Sequence, residues 1–170
     1  MIEVRNSNDF YGIDGLIIPG GESTSMAKIM DYYDLRSSIQ NFAKTGKAIW
    51  GTCAGLILMA SELSEDRPTP LGLLDIAVQR NGFGRQVDSF EADVDIKGLD
   101  GGAIHVFFIR APQIIRIGKQ VQVISSLHDG NIVAVRKGNL IATSFHPELS
   151  EDSRMHNYFL DLCVNQEPLN

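Results

Sequence analysis

The chain has 170 residues, 44% hydrophobic and 21% charged, the size and balance of one domain able to bury a full core. A net charge of −6 with no basic stripe excludes a general nucleic-acid binder. No apolar run approaches a membrane span and no signal segment opens the chain. Its two cysteines, Cys53 and Cys163, form no disulfide framework, so a cytoplasmic protein in a reducing compartment is expected.

In chain order, Ile2–Arg5 reads as a short strand. Gly15–Ile18 is a stronger one, bounded by Asp14-Gly15 and Pro19-Gly20-Gly21. Ser23 or Thr24 is expected to cap a helix through Met26, Ile29 and Met30. A second helix is expected over Leu35–Thr45, with Leu35, Ile39 and Phe42 on one face and Gly46 as its stop. Lys47–Trp50 reads as a buried strand, and Gly51–Gly55 turns it into an apolar helix over Leu56–Leu63.

After a turn around Pro68–Pro70 the character becomes β-rich. The runs DIAVQR, FEADVDI, AIHVFFI, QVISSL, NIVAVRK and LIATSF follow one another, with Gly138-Asn139 marking a hairpin between the last two. A final helix is expected from about Asp152 to Val164, burying Met155, Tyr158, Phe159 and Leu162, with Glu151 and Asp152 at its positive end. This order predicts an α/β fold: a three-layer, doubly wound, mostly parallel sheet with an antiparallel extension. Ligands in such folds bind at the carboxyl ends of the strands, and two of those ends, after Ile18 and Trp50, carry glycine-rich turns.

Three short stretches carry chemistry. Gly51-Thr52-Cys53-Ala54-Gly55 is a GxCxG version of the nucleophile elbow, which thrusts Cys53 into the cleft in a strained turn. The helix that follows is expected to favour the thiolate, and the Ala54 N–H to face a developing oxyanion. A buried structural cysteine in a tight turn fits the five residues equally well. In Ser144-Phe145-His146-Pro147-Glu148, His146 can serve as base and Glu148 can orient it. On its own, a loop histidine beside a surface glutamate is the commoner arrangement. The acid follows the histidine, which argues against the α/β-hydrolase order of nucleophile, acid, histidine. In Pro19-Gly20-Gly21-Glu22-Ser23-Thr24, the paired glycines offer N–H groups to an anion or carbonyl oxygen, and no GxxxxGK[ST] phosphate loop is present. His105, His128 and His156 lack metal-ligand spacing, Cys163 reads as a helix core residue, and no metal is expected.

PGGEST, GTCAGLI, QRNGFGRQVDSFE, FIRAP and SFHPEL, in this order, closely resemble the glutaminase subunit of pyridoxal 5′-phosphate synthase, a class I (triad) glutamine amidotransferase. The resemblance runs from about Ile2 to Val164. It implies that Cys53 is the nucleophile, His146 the base and then acid, and Glu148 the orienter. It places Gly21, Glu22, Ser23, Arg80, Ile109 and Arg110 on the glutamine substrate, and Gly20, Gly21 and Ala54 around the oxyanion. Arg80 and Arg110, read without the family, are solvated surface charge. The resemblance further implies a synthase partner subunit in a large hetero-oligomer, which receives ammonia and makes pyridoxal phosphate. That compound is then a product of the complex, and no cofactor of this chain is expected.

Relatives of this type begin with a further strand and helix, containing a Leu-Gln-Gly stretch, ahead of the segment matching Ile2–Arg5. Residues 1–170 are therefore expected to form a single N-terminally shortened amidotransferase domain, with unpaired backbone and a slot in the core. Two other functions remain open on the sequence: a catalytically impaired scaffold or binding subunit of the same complex, and a stand-alone cysteine hydrolase.

Overall fold

The computed structural model describes residues 1–82 and 89–165. Part of the QRNGFGRQVDSFE stretch, residues 83–88, lies outside them. The β-branched run GLII forms β1 (Gly15–Ile18), followed by α1 (Ser23–Tyr32) and α2 (Leu35–Lys44). The fully buried AIWGT forms β2 (Ala48–Thr52), and α3 (Ala54–Met59) begins directly after Cys53. Then come β3 (Ala60–Leu63), β4 (Leu74–Gln79), β5 (Ser89–Val94), β6 (Ile104–Ile109), β7 (Gln113–Ile117), β8 (Gln122–Ser126), β9 (Ile132–Lys137) and β10 (Leu140–Thr143). A 3-10 turn, Pro147–Leu149, leads to α4 (Arg154–Val164).

The main sheet has the order β1-β2-β10-β9-β8. Its first three strands run parallel, and β9 and β8 continue it antiparallel. Side chains alternate across it, as a two-residue period requires. Leu16, Ile18, Ile49, Leu140 and Ala142 pack with α1, α2 and α3 on one face. Ala48, Trp50 and Ile141 pack with Met155, Phe159, Leu162 and Cys163 of α4 on the other. This is the expected α/β architecture with helices on both faces. The rest of the β-rich middle builds two smaller sheets, β3-β4-β7 and β5-β6, in place of a single extension.

Several local expectations are corrected. Ile2–Arg5 joins no strand, and β1 is the end of the strand order, paired with β2 alone among the described residues. The α1 cap is Glu22, whose carboxylate accepts from the N–H groups of Thr24 and Ser25, while Ser23 is already the first helical residue. The buried residues of α1 are Ser23, Ala27 and Met30, and Ile29 is exposed. The helix after Cys53 stops at Met59, because Ala60–Leu63 pairs in parallel with β4 and that pairing overrides the apolar periodicity. Strand β7 was not expected; it pairs antiparallel with β4. Helix α4 starts at Arg154, two residues late, with the Asp152 carboxylate accepting its N–H at 2.9 Å. No helix among the described residues is long and apolar enough to cross a membrane.

Candidate active site

Cys53 stands between the end of β2 and the start of α3 at φ 48° and ψ −100°, one of four non-glycine residues at positive φ among those described. Such a conformation persists only where its surroundings enforce it. Here the Cys53 N–H donates to the Thr143 carbonyl at 2.8 Å, tying the turn to β10. Gly55 lies so close to the Ile18 carbonyl that a Cβ could not fit, and a Cβ on Gly51 would meet the Gly55 backbone at 2.6 Å. Both glycines of the GxCxG elbow are therefore sites of close packing.

The Cys53 side chain is buried, and its Sγ lies 3.8 Å from the Ile109 carbonyl oxygen. Burial pushes the thiol up to about 11, against the opposing pull of the Ala54 N–H, and the Glu148 charge adds to the rise. The N–H at the helix start pulls towards the thiolate, as expected, but desolvation outweighs it, and the thiol needs a base.

His146 follows β10, and its N–H donates to the Phe107 carbonyl at 2.8 Å. Pro147 then turns the chain into the 3-10 helix and returns Glu148 to the ring, with Nδ1 and Oε1 2.7 Å apart. A carboxylate on Nδ1 keeps the proton there and leaves Nε2 as the acceptor. Gly20 lies against both groups. A Cβ built on it would sit 2.5 Å from His146 Cε1 and 3.6 Å from Cys53 Cβ. The PGG loop, the cysteine elbow and the HPE turn, far apart in sequence, therefore meet at one point.

The other expected residues fall into two groups. Glu22, at the α1 start, is held down to about 2, first by the Ser25 side chain and then by the backbone N–H groups of Thr24 and Ser25. Its Oε1 also lies 3.5 Å from Nη2 of Arg80, whose Nη1 donates to the Arg67 carbonyl at 3.1 Å. Arg80 is thus oriented by two partners and is not merely solvated charge. Ser23 is buried, and among the described residues its hydroxyl has no hydrogen-bond partner. Gly21 follows Gly20 with φ 146°. Ile109 ends β6 beside the thiol, and exposed Arg110 next to it has φ 44°. A cavity of about 320 Å³ opens along the β5–β6 pair, lined by Ser89, Phe90, Glu91, Phe107, Phe108 and Ile109.

The carbonyls of Thr143, Phe107, Ile109 and Arg67 act here as backbone acceptors, a part that no residue type signals in the sequence because tertiary packing alone brings them to their donors. Among the described residues, no group of three or more His, Cys, Asp or Glu is placed to hold a metal ion. Chemically, a buried thiol, an imidazole locked in one tautomer and nearby backbone N–H groups suit attack on an amide carbonyl.

The SNO glutamine amidotransferase family matches residues 1–165. The pyridoxal 5′-phosphate synthase subunit PdxT of Dehalococcoides mccartyi is 52% identical over 164 residues, covering 95% of this chain and 84% of that protein. The subunit of the same name from Herpetosiphon aurantiacus is 49% identical over 164 residues, covering 95% and 86%. A crystal structure of a glutamine amidotransferase superposes with a TM-score of 0.90 at 44% identity, covering 96% of this chain and 86% of the other. The PurLQS structure from Thermotoga maritima, at 19% identity and a TM-score of 0.64 over 89% and 80% of the two chains, shares the fold. On the match over residues 1–165 and on these identities, the chain belongs to the SNO glutamine amidotransferase family.

Proposed function

We propose that this chain hydrolyses L-glutamine to L-glutamate and ammonia with Cys53 as nucleophile, His146 as base and acid, and Glu148 as orienter. The ammonia passes to the synthase subunit of pyridoxal 5′-phosphate synthase, in a large hetero-oligomer in the cytoplasm. The observation that carries this reading is the meeting of Gly20, Cys53 and the Glu148-bound His146 in a member of this family.

In the reaction, the Cys53 proton passes to Nε2 of His146 and the sulfur bonds to the side-chain amide carbon. The Ala54 N–H and the Gly20-Gly21 backbone stabilise the oxyanion. The imidazolium returns its proton to the departing nitrogen, ammonia leaves, and a glutamyl thioester remains. Water, deprotonated by His146, then cleaves the thioester to glutamate and restores the thiol. Arg80, held by Glu22 and the Arg67 carbonyl, binds the substrate carboxylate as a preset fork, and Gly21, Glu22, Ser23, Ile109 and Arg110 complete the grip. Protonated ammonia is no nucleophile, so the product needs a protected route to its acceptor. Residues 1–170 act as one amidotransferase domain in this reading.

A thiol-reactive glutamine analogue tests the assignment. Peptide mapping is expected to find the label on Cys53, with Cys163 unmodified. Labelling at Cys163, or equal labelling by an analogue lacking the amino-acid groups, would contradict it.

A further inference from the structure

The β6 strand holds both reacting residues by its outer edge. It pairs with β5 in the register Glu91↔Phe107, Phe90↔Phe108 and Ser89↔Ile109. In an antiparallel pair, alternate residues turn both backbone groups towards the partner or away from it. The Phe107 carbonyl is turned away from β5, where it takes the His146 N–H at 2.8 Å. Two residues on, the Ile109 carbonyl shares that edge and takes the Cys53 thiol at 3.8 Å. The strand is left through Arg110 at φ 44°, and the thiol belongs to a residue at φ 48°. L residues rarely adopt a positive φ, so the contact joins two backbone positions that the fold holds against local preference.

Resting on the glutaminase reading, we propose that the Ile109 carbonyl is a latch that occupies the resting Cys53 thiol as its S–H acceptor, and that the α-ammonium of a bound amino acid releases it. The ammonium is a charged donor with three N–H groups, and it outcompetes a weak S–H donor for one carbonyl. Release transfers no group. One S–H···O contact breaks, an S–H···N contact to Nε2 of His146 forms, and only then does the proton leave sulfur. The nucleophile is thereby activated when an α-amino acid fills the site and stays a thiol when the site is empty. Burial and the carbonyl act in the same direction, since both favour the protonated sulfur.

The test is the infrared S–H stretching band of Cys53, isolated as the difference between the unaltered protein and Cys53→Ala. In the resting protein the band is expected at lower wavenumber than that of a thiol without an acceptor. Saturating L-glutamate should move it, whereas glutarate, which lacks the ammonium, should leave it in place. A resting band at the position of an unbonded thiol, or equal responses to glutamate and glutarate, would overturn the latch. Glutamine turnover measured on the same preparation separates the two readings. Turnover without the shifted band removes the latch alone, and absence of both turnover and analogue labelling removes the glutaminase reading beneath it.

Discussion

Gly20 packs so closely against His146 that a methyl group at its Cα would fall 2.5 Å from Cε1 of the ring and 3.6 Å from Cβ of Cys53. The space between the proposed base and nucleophile is thus set by an absent side chain. Gly20→Ala should displace the imidazole that Glu148 orients. A misplacement on this scale lowers turnover by roughly 100-fold. Steady-state kinetics beside a thermal melt check this, and the expected result is lost kcat with a nearly unchanged Tm.

Gly55 faces the Ile18 carbonyl, a backbone atom that cannot swing aside. Gly55→Ala should therefore push α3 away from β1 and destabilise the fold by about 1–3 kcal/mol, the usual range for overpacking. Urea denaturation measures it. An unchanged midpoint would show that the elbow has slack the geometry denies.

Glu148→Gln keeps the size of the side chain while removing its charge. Loss of the oriented base should lower glutamine hydrolysis by roughly 10²–10⁴-fold. The Glu148 charge also raises the Cys53 thiol, so its removal should speed alkylation of Cys53 at a fixed alkaline pH. The two assays are expected to move in opposite directions, which simple misfolding would not produce.

Much of this site is legible in the sequence. The GxCxG and HPE stretches each encode a local turn, and local turns are written in glycine and proline. Strand β1 and helix α2 were placed to within a residue, because GLII and the Leu35, Ile39, Phe42 stripe each fit a single period. What escaped was tertiary. Ala60–Leu63 continues the apolar run of α3, yet pairing with β4 makes it a strand. The Glu22 carboxylate caps α1 and reaches Arg80, 58 positions away, and neither contact has a local signature. The Ile109 carbonyl and the Cys53 thiol are 56 positions apart, and no periodicity announces such a contact.

Glu22 also yields a pH prediction. Its folded carboxyl is held at about 2, below the ordinary 4.5. A depressed folded value means that the ionised cap stabilises the protein above about 4.5, and that this contribution fades as pH falls towards about 2. Glu22→Gln should be less stable than the unaltered protein at neutral pH. The gap between their denaturation midpoints should close across that window, while a constant gap would show that the charge does not matter.

The most direct test of the central claim is glutamate release from glutamine, with and without the synthase subunit, by the unaltered chain and by Cys53→Ala. The account predicts release that rises when the subunit is added and vanishes in Cys53→Ala. Undiminished release by Cys53→Ala, or no release by a folded chain bound to its partner, would contradict it.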